Sequence, residues 1–235
     1  MSRDLLVRGM LAGILAAMLA VLFARAFAEP QVDLAIAFET QAVHHAADAA
    51  PELVSRATQK GVGLLTAIGL YGAAVGGIFA LVFAVTYGRI GPIGPRSLAL
   101  LLALGAFVAI ALAPALKYPP TPPAVGQHET VAFRTLAYFA MTGLSLVALI
   151  LSVKVSTQLM TRVGVLNGLL LGAGGYVLLI SMLQLGLPAI NEVPADYPAV
   201  ILWDFRVAAI GMQAVLWTTI GLSFGAMADR LIRRS

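Results

Sequence analysis

The stretch GVGLLTAIGLYGAAVGGIFALVFAVTY, residues 61–87, contains no charged side chain and no proline. Crossing the hydrocarbon core of a bilayer takes roughly 20 apolar residues in a helix, because a rise of about 1.5 Å per residue must cover about 30 Å. This run is long enough, and its Gly, Ala, Leu and Val lack the strict alternation of a barrel strand. In lipid every backbone N–H and C=O must be paired within the segment, so a helix is the expected form. Five more stretches meet the same test: 9–27, 98–116, 135–153, 164–187 and 207–227. The sequence therefore predicts an all-α polytopic membrane protein. A single transmembrane domain over 1–235 is expected, with its longest connection at 28–60.

Composition agrees. The 235 residues are 60% hydrophobic and 11% charged, with a formal net charge of +4 and a mean hydropathy of +0.93. Soluble domains carry about 25% charged residues, so a water-soluble domain and a disordered chain are both excluded. The absence of cysteine removes disulfide scaffolds, thiolate metal sites and thiol nucleophiles.

The few charges are placed asymmetrically. With the N-terminus inside, Arg3, Arg8, Arg89, Arg96, Lys154, Arg162, Arg230, Arg233 and Arg234 face the cytoplasm, accompanied only by Asp4 and Asp229. The other six basic residues share the outer side with the other nine acids. That distribution follows the positive-inside rule and puts both termini in the cytoplasm. The basic balance is thus a topology signal; no basic patch interleaved with aromatics exists, and no nucleic-acid partner is expected. Arg3 and Arg8 ahead of an apolar run, then Ala26-Phe27-Ala28, also resemble a cleaved signal peptide. The run exceeds a usual signal-peptide core, so it is expected to stay as the first span.

The six spans pair into three hairpins whose chemical variety lies in the outer loops. Each loop carries proline and acid, and an arginine opens each returning helix: Arg56, Arg134 and Arg206. This repetition predicts a pseudo-threefold arrangement with the three arginines at the outer mouth. The alternative is that each arginine anchors a span end at the headgroups. Gly72-x-x-x-Gly76, Gly164-x-x-x-Gly168-x-x-x-Gly172 and Gly221-x-x-x-Gly225 place small residues on single helix faces, where backbones can approach.

None of the six cores contains an acid or a histidine, the usual mark of a proton relay or ion site. Gln184 and Gln213, toward the outer ends of their helices, are candidates for a polar path; plain helix–helix hydrogen bonding is the alternative. His44, His45 and His128 all fall outside the spans, which excludes a transmembrane haem ligated on facing helices. The methionines do not cluster as copper(I) would require. No Walker A, HExxH or GxSxG sequence occurs, so no enzyme is expected. The first outer loop is richest in ligand chemistry, with Glu39, His44, His45, Asp48 and Glu52. In a helix, Asp48 shares a face with either histidine. Mixed imidazole and carboxylate ligands suit divalent first-row metals, as cargo and not as a resident cofactor. A solvated polar helix is the alternative.

Three phrases then stand out in order: Glu29-Pro30-Gln31-Val32-Asp33-Leu34-Ala35-Ile36-Ala37-Phe38-Glu39; Lys117-Tyr118-Pro119-Pro120 running on to Glu129-Thr130 and Arg134-Thr135; and Leu187-Pro188-Ala189-Ile190-Asn191-Glu192-Val193-Pro194 running on to Trp203 and Phe205-Arg206. Together they resemble the CbtA family of bacterial cobalt transporters along nearly the whole chain. The resemblance implies cobalt uptake for cobalamin synthesis across the inner membrane. It also implies a partner, the small single-span CbtB subunit with a histidine-rich tail. Family members carry more histidine in the first outer loop, where this chain has only His44 and His45, and the family is described with five spans, a difference the signal-like first segment explains. The alternative is a non-conducting structural subunit that packs against partners through its glycine faces. The sequence leaves open whether the chain forms an oligomer.

Overall fold

The computed structural model describes residues 2–43, 64–123, 125–127 and 129–233. These are helical throughout apart from short connections, with no strand among them. We number the helices α1 (Ser2–Phe27), α2 (Glu29–Val43), α3 (Leu64–Thr86), α4 (Pro95–Ala106), α5 (Ala113–Lys117), α6 (Val131–Val163), α7 (Val165–Gly186) and α8 (Ala199–Ile232). A π-helical segment, Phe107–Leu112, joins α4 to α5. Six helical stretches are long and apolar enough to cross a membrane: Ser2–Phe27, Thr66–Thr86, Pro95–Lys117, Val131–Val163, Val165–Gly186 and Ala199–Ile232.

The helices are longer than apolarity alone predicts. Residues 154–163 read as a polar connection, yet α6 runs through them, because Lys154, Gln158, Met160 and Arg162 are good helix formers and no proline intervenes. The turn falls on Gly164, at φ +86°. Gly164 is therefore a hinge between α6 and α7 and not the first member of the packing face predicted for it. Likewise α8 opens at Ala199, so Arg206 lies two turns inside the helix and does not open it. The polar run 28–60 begins as helix α2, with Glu29 and Pro30 in its first turn, where an acid suits the helix dipole and the missing proline N–H is not needed.

Two compact units divide the chain: Met1–Leu104 with Pro122–Ala124 and Pro198–Ser235, and Gly105–Thr121 with Val125–Tyr197. In the first unit α1 packs along α3 and α8, and α2 continues along α8. Gly9 and Gly13 of α1 face Gly72 and Gly76 of α3 so closely that a Cβ on Gly13 would meet the Gly72 carbonyl and come within 2.8 Å of the Gly76 Cα. Gly221 and Gly225 of α8 meet Ala103 and Ala99 of α4 in the same manner. Phe224 stacks edge-on against Phe79 and Phe83 of α3, at ring separations of 5.4 and 5.0 Å.

In the second unit α6 packs on α7, and the π segment and α5 pack on α6. Gly168 and Gly172 lie against Met160 and Ser156, and the Ser156 hydroxyl donates to the Gly168 carbonyl at 2.9 Å. Pro114 has no N–H to offer the turn below it. The Ile110 carbonyl in that turn lies 3.5 Å from the Tyr138 hydroxyl, at the long limit of a hydrogen bond. The arms of the third expected hairpin, α7 and α8, belong to different units.

Candidate functional site: a cavity and a loop clasp

In the first unit, α1 and α2 join almost without a break. Ala28 N–H donates to Ala24 O, and Gln31 and Val32 N–H both donate to Ala28 O. The helical period consequently carries across the joint. Ala17, Ala20, Val21, Ala24, Arg25, Ala28, Glu29, Val32, Asp33 and Ile36 form one stripe, recurring every three or four residues. This stripe, with Ile68 and Tyr71 of α3 and Met212, Gln213 and Leu216 of α8, walls a cavity of about 490 Å³. Most of the wall is aliphatic. Its polar groups are Arg25, Glu29, Asp33, Tyr71 and Gln213, so two carboxylates stand against one guanidinium.

Of the predicted site residues that the structure describes, Gln213 is the one that lines this cavity. Glu29 and Asp33 were legible as loop acids, but their place in a cavity was hidden by ending the first helix at residue 27. The signal that finds them is the unbroken 3.6-residue period through 17–36. Glu39, further along α2, is exposed. His44, His45, Asp48, Glu52 and Arg56 lie outside the described residues. Among the described residues no group of three or more His, Cys, Asp or Glu side chains is placed to hold a metal ion.

The second unit gathers two of the three motif phrases. Lys117 Nζ donates to the Gln184 carbonyl at 2.6 Å, meeting the electronegative last turn of α7. The neighbouring Tyr118 hydroxyl donates to the Pro188 carbonyl at 2.9 Å, and burial pushes the Tyr118 phenol up from its ordinary value. A few residues on, Gln127 N–H donates to Glu192 Oε2 at 2.8 Å, and Arg134 Nη2 donates to Gln127 O at 3.1 Å. Arg134 Nε lies 3.4 Å from the same carboxylate oxygen, making an ion pair. The Thr130 hydroxyl and Gln127 N–H, with Arg134 adding its charge, hold the Glu192 carboxyl below the usual range. Gly126 makes room for this, since a Cβ there would come 2.6 Å from the Arg134 Cζ, and its φ of +111° disfavours any side chain. Arg134 is thus a clasp residue. Gln184 takes part through its main chain, with its side chain half-buried.

Six helices long and apolar enough to cross a bilayer, with loops clasped by hydrogen bonds, define a polytopic helical membrane protein. The family model described as "Probable cobalt transporter subunit (CbtA)" matches residues 2–229, and the chain belongs to that family. No curated protein and no solved structure matches the chain.

Proposed function

We propose that this protein passes a divalent first-row metal ion, cobalt, across the bacterial inner membrane for cobalamin synthesis, with both termini cytoplasmic. The observation that carries the reading is the cavity, whose lining includes Glu29, Asp33 and Gln213 in a protein of a cobalt-transporter family. Carboxylate and amide oxygens can replace part of a divalent ion's hydration shell. A sparse oxygen set suits passage better than storage, because a conducting site must also release its ion. The polar stretch of sequence ahead of α3, with Glu39, His44, His45, Asp48 and Glu52, supplies the capture ligands. Gln213, and with it Gln184, serves as a polar path. Arg56, Arg134 and Arg206, as an outer-mouth set, shape the field that the entering cation meets. A small single-span, histidine-rich subunit of the CbtB type is the expected partner. No catalytic role is proposed.

Cobalt uptake by cells expressing the chain, alone and with such a partner, tests the proposal. Glu29→Gln with Asp33→Asn is expected to lower uptake about tenfold at unchanged protein level. His44→Ala with His45→Ala should raise the cobalt concentration needed for half-maximal uptake. The second reading is a non-conducting structural subunit, which the close glycine-faced packing of α1 on α3 favours. Uptake no higher than background with and without the partner would establish that reading instead.

A further inference from the structure

The cavity that holds Glu29 and Asp33 occupies one end of the first unit. Along α8, Met212, Gln213 and Leu216 line it, and the next turns are packed solid. Ile220 and Phe224 have no exposed surface, and Gly221 and Gly225 seat on Ala103 and Ala99. About 20 Å beyond Leu216, at 1.5 Å per residue, comes Asp229, whose side chain is only 7% exposed. Its two oxygens are divided. Oδ2 lies 3.0 Å from Arg96 Nε on α4, and Oδ1 lies 3.0 Å from Arg233 Nε just past the end of its own helix. Beside it, Arg8 of α1 donates from Nη1 to the Met227 carbonyl at 2.6 Å. Three helices are therefore tied together at the end opposite the cavity.

We infer that Asp229 and Arg96 form a releasable latch that keeps this end of the unit closed while the cavity end admits the ion. The inference rests on the transport reading of the cavity. Three features make the contact one that can open and not only a staple. A buried carboxylate stripped of all partners is very costly, but Arg233 stays with Asp229 when Arg96 leaves. Arg96 is itself 61% exposed, so water solvates its guanidinium once it is free. The connection leading into α4 holds Gly88 and Gly91 at φ +77° and +132°, with open space around both, which gives α4 a pivot.

The chain contains no cysteine, so one introduced thiol reports accessibility without background. Ile220→Cys sits in the sealed stretch, and Met212→Cys sits half-buried in the cavity wall. A membrane-impermeant maleimide is expected to leave Ile220→Cys unlabelled from either side of the otherwise native protein. Adding Asp229→Asn or Arg96→Gln should speed its labelling at least tenfold, from the arginine-bearing side only. Exchanging the charges, Arg96→Asp with Asp229→Arg, should restore protection. Met212→Cys, labelled from the cavity side throughout, shows that each variant is folded. Continued protection of Ile220→Cys in both single variants would overturn the latch, as would labelling from both sides together, which marks a structural staple. No cobalt enters the experiment. Failed uptake with a working latch therefore overturns only the transport reading, and uptake with an unresponsive Ile220→Cys overturns only the latch.

Discussion

Arg134 illustrates how much one glycine decides. Its guanidinium occupies the space where any side chain at 126 would stand, and from there it reaches both the Gln127 carbonyl and the Glu192 carboxylate. Because Glu192 is held below its ordinary value of 4.5, its ionised form is favoured by folding. That contribution is fully present above the unfolded value and is lost as pH falls through the lower folded one. The melting temperature of the purified protein should therefore exceed that of Glu192→Gln at pH 6. The gap should narrow progressively as pH falls below 4.5, and a gap of constant size from pH 6 down to acid unfolding would dismiss the ion pair as its source. The sequence made Arg134 legible as a loop-closing cation but not its partner. Glu192 lies far along the chain, and only the meeting of Lys117-Tyr118 with Gln184 and Pro188 brings the two loops together.

Among the elements, the α1–α3 contact is the most exacting. Lipid chains solvate apolar side chains as well as other side chains do, so helices in a bilayer associate through close packing instead of hydrophobic exclusion. A leucine at Gly13 would drive its Cβ into the Gly72 carbonyl and the Gly76 backbone, neither of which can swing aside. Overpacking of this kind costs about 1–3 kcal/mol, or more against rigid backbone. Gly13→Leu should lower the melting temperature by several degrees in detergent. Gly69→Leu, on the same α3 but facing open space, should leave it unchanged. Gly72-x-x-x-Gly76 announced itself in the sequence, and so did Gly221-x-x-x-Gly225. Helix ends did not: a hydropathy profile stops where polar residues begin, whereas hydrogen bonding continues α6 to Val163 and carries α1 onward into α2.

For the molecule as a whole, the six spans and the family were legible, because apolar length and ordered loop phrases are both written along the chain. The cavity was not, since it depends on a helix period that crosses a predicted boundary. A whole-molecule prediction follows from charge. The transmembrane potential is worth roughly 2.3 kcal/mol per charge per 100 mV, and twice that for a divalent ion. Cobalt uptake into vesicles holding the protein and its partner should rise steeply with an inside-negative potassium diffusion potential and stop when that potential is collapsed. Potential-independent uptake would point to a coupled ion or another energy source. The Gly9, Gly13, Gly72 and Gly76 quartet carries an evolutionary consequence as well. Ordinary core contacts drift in pairs, one residue shrinking as its neighbour grows. Here nothing remains to shrink, so no substitution at one position can be rescued at another. Homologous chains should hold these four sites nearly invariant and show no covariation between them, leaving a contact that coevolution is blind to because it is too tight to vary.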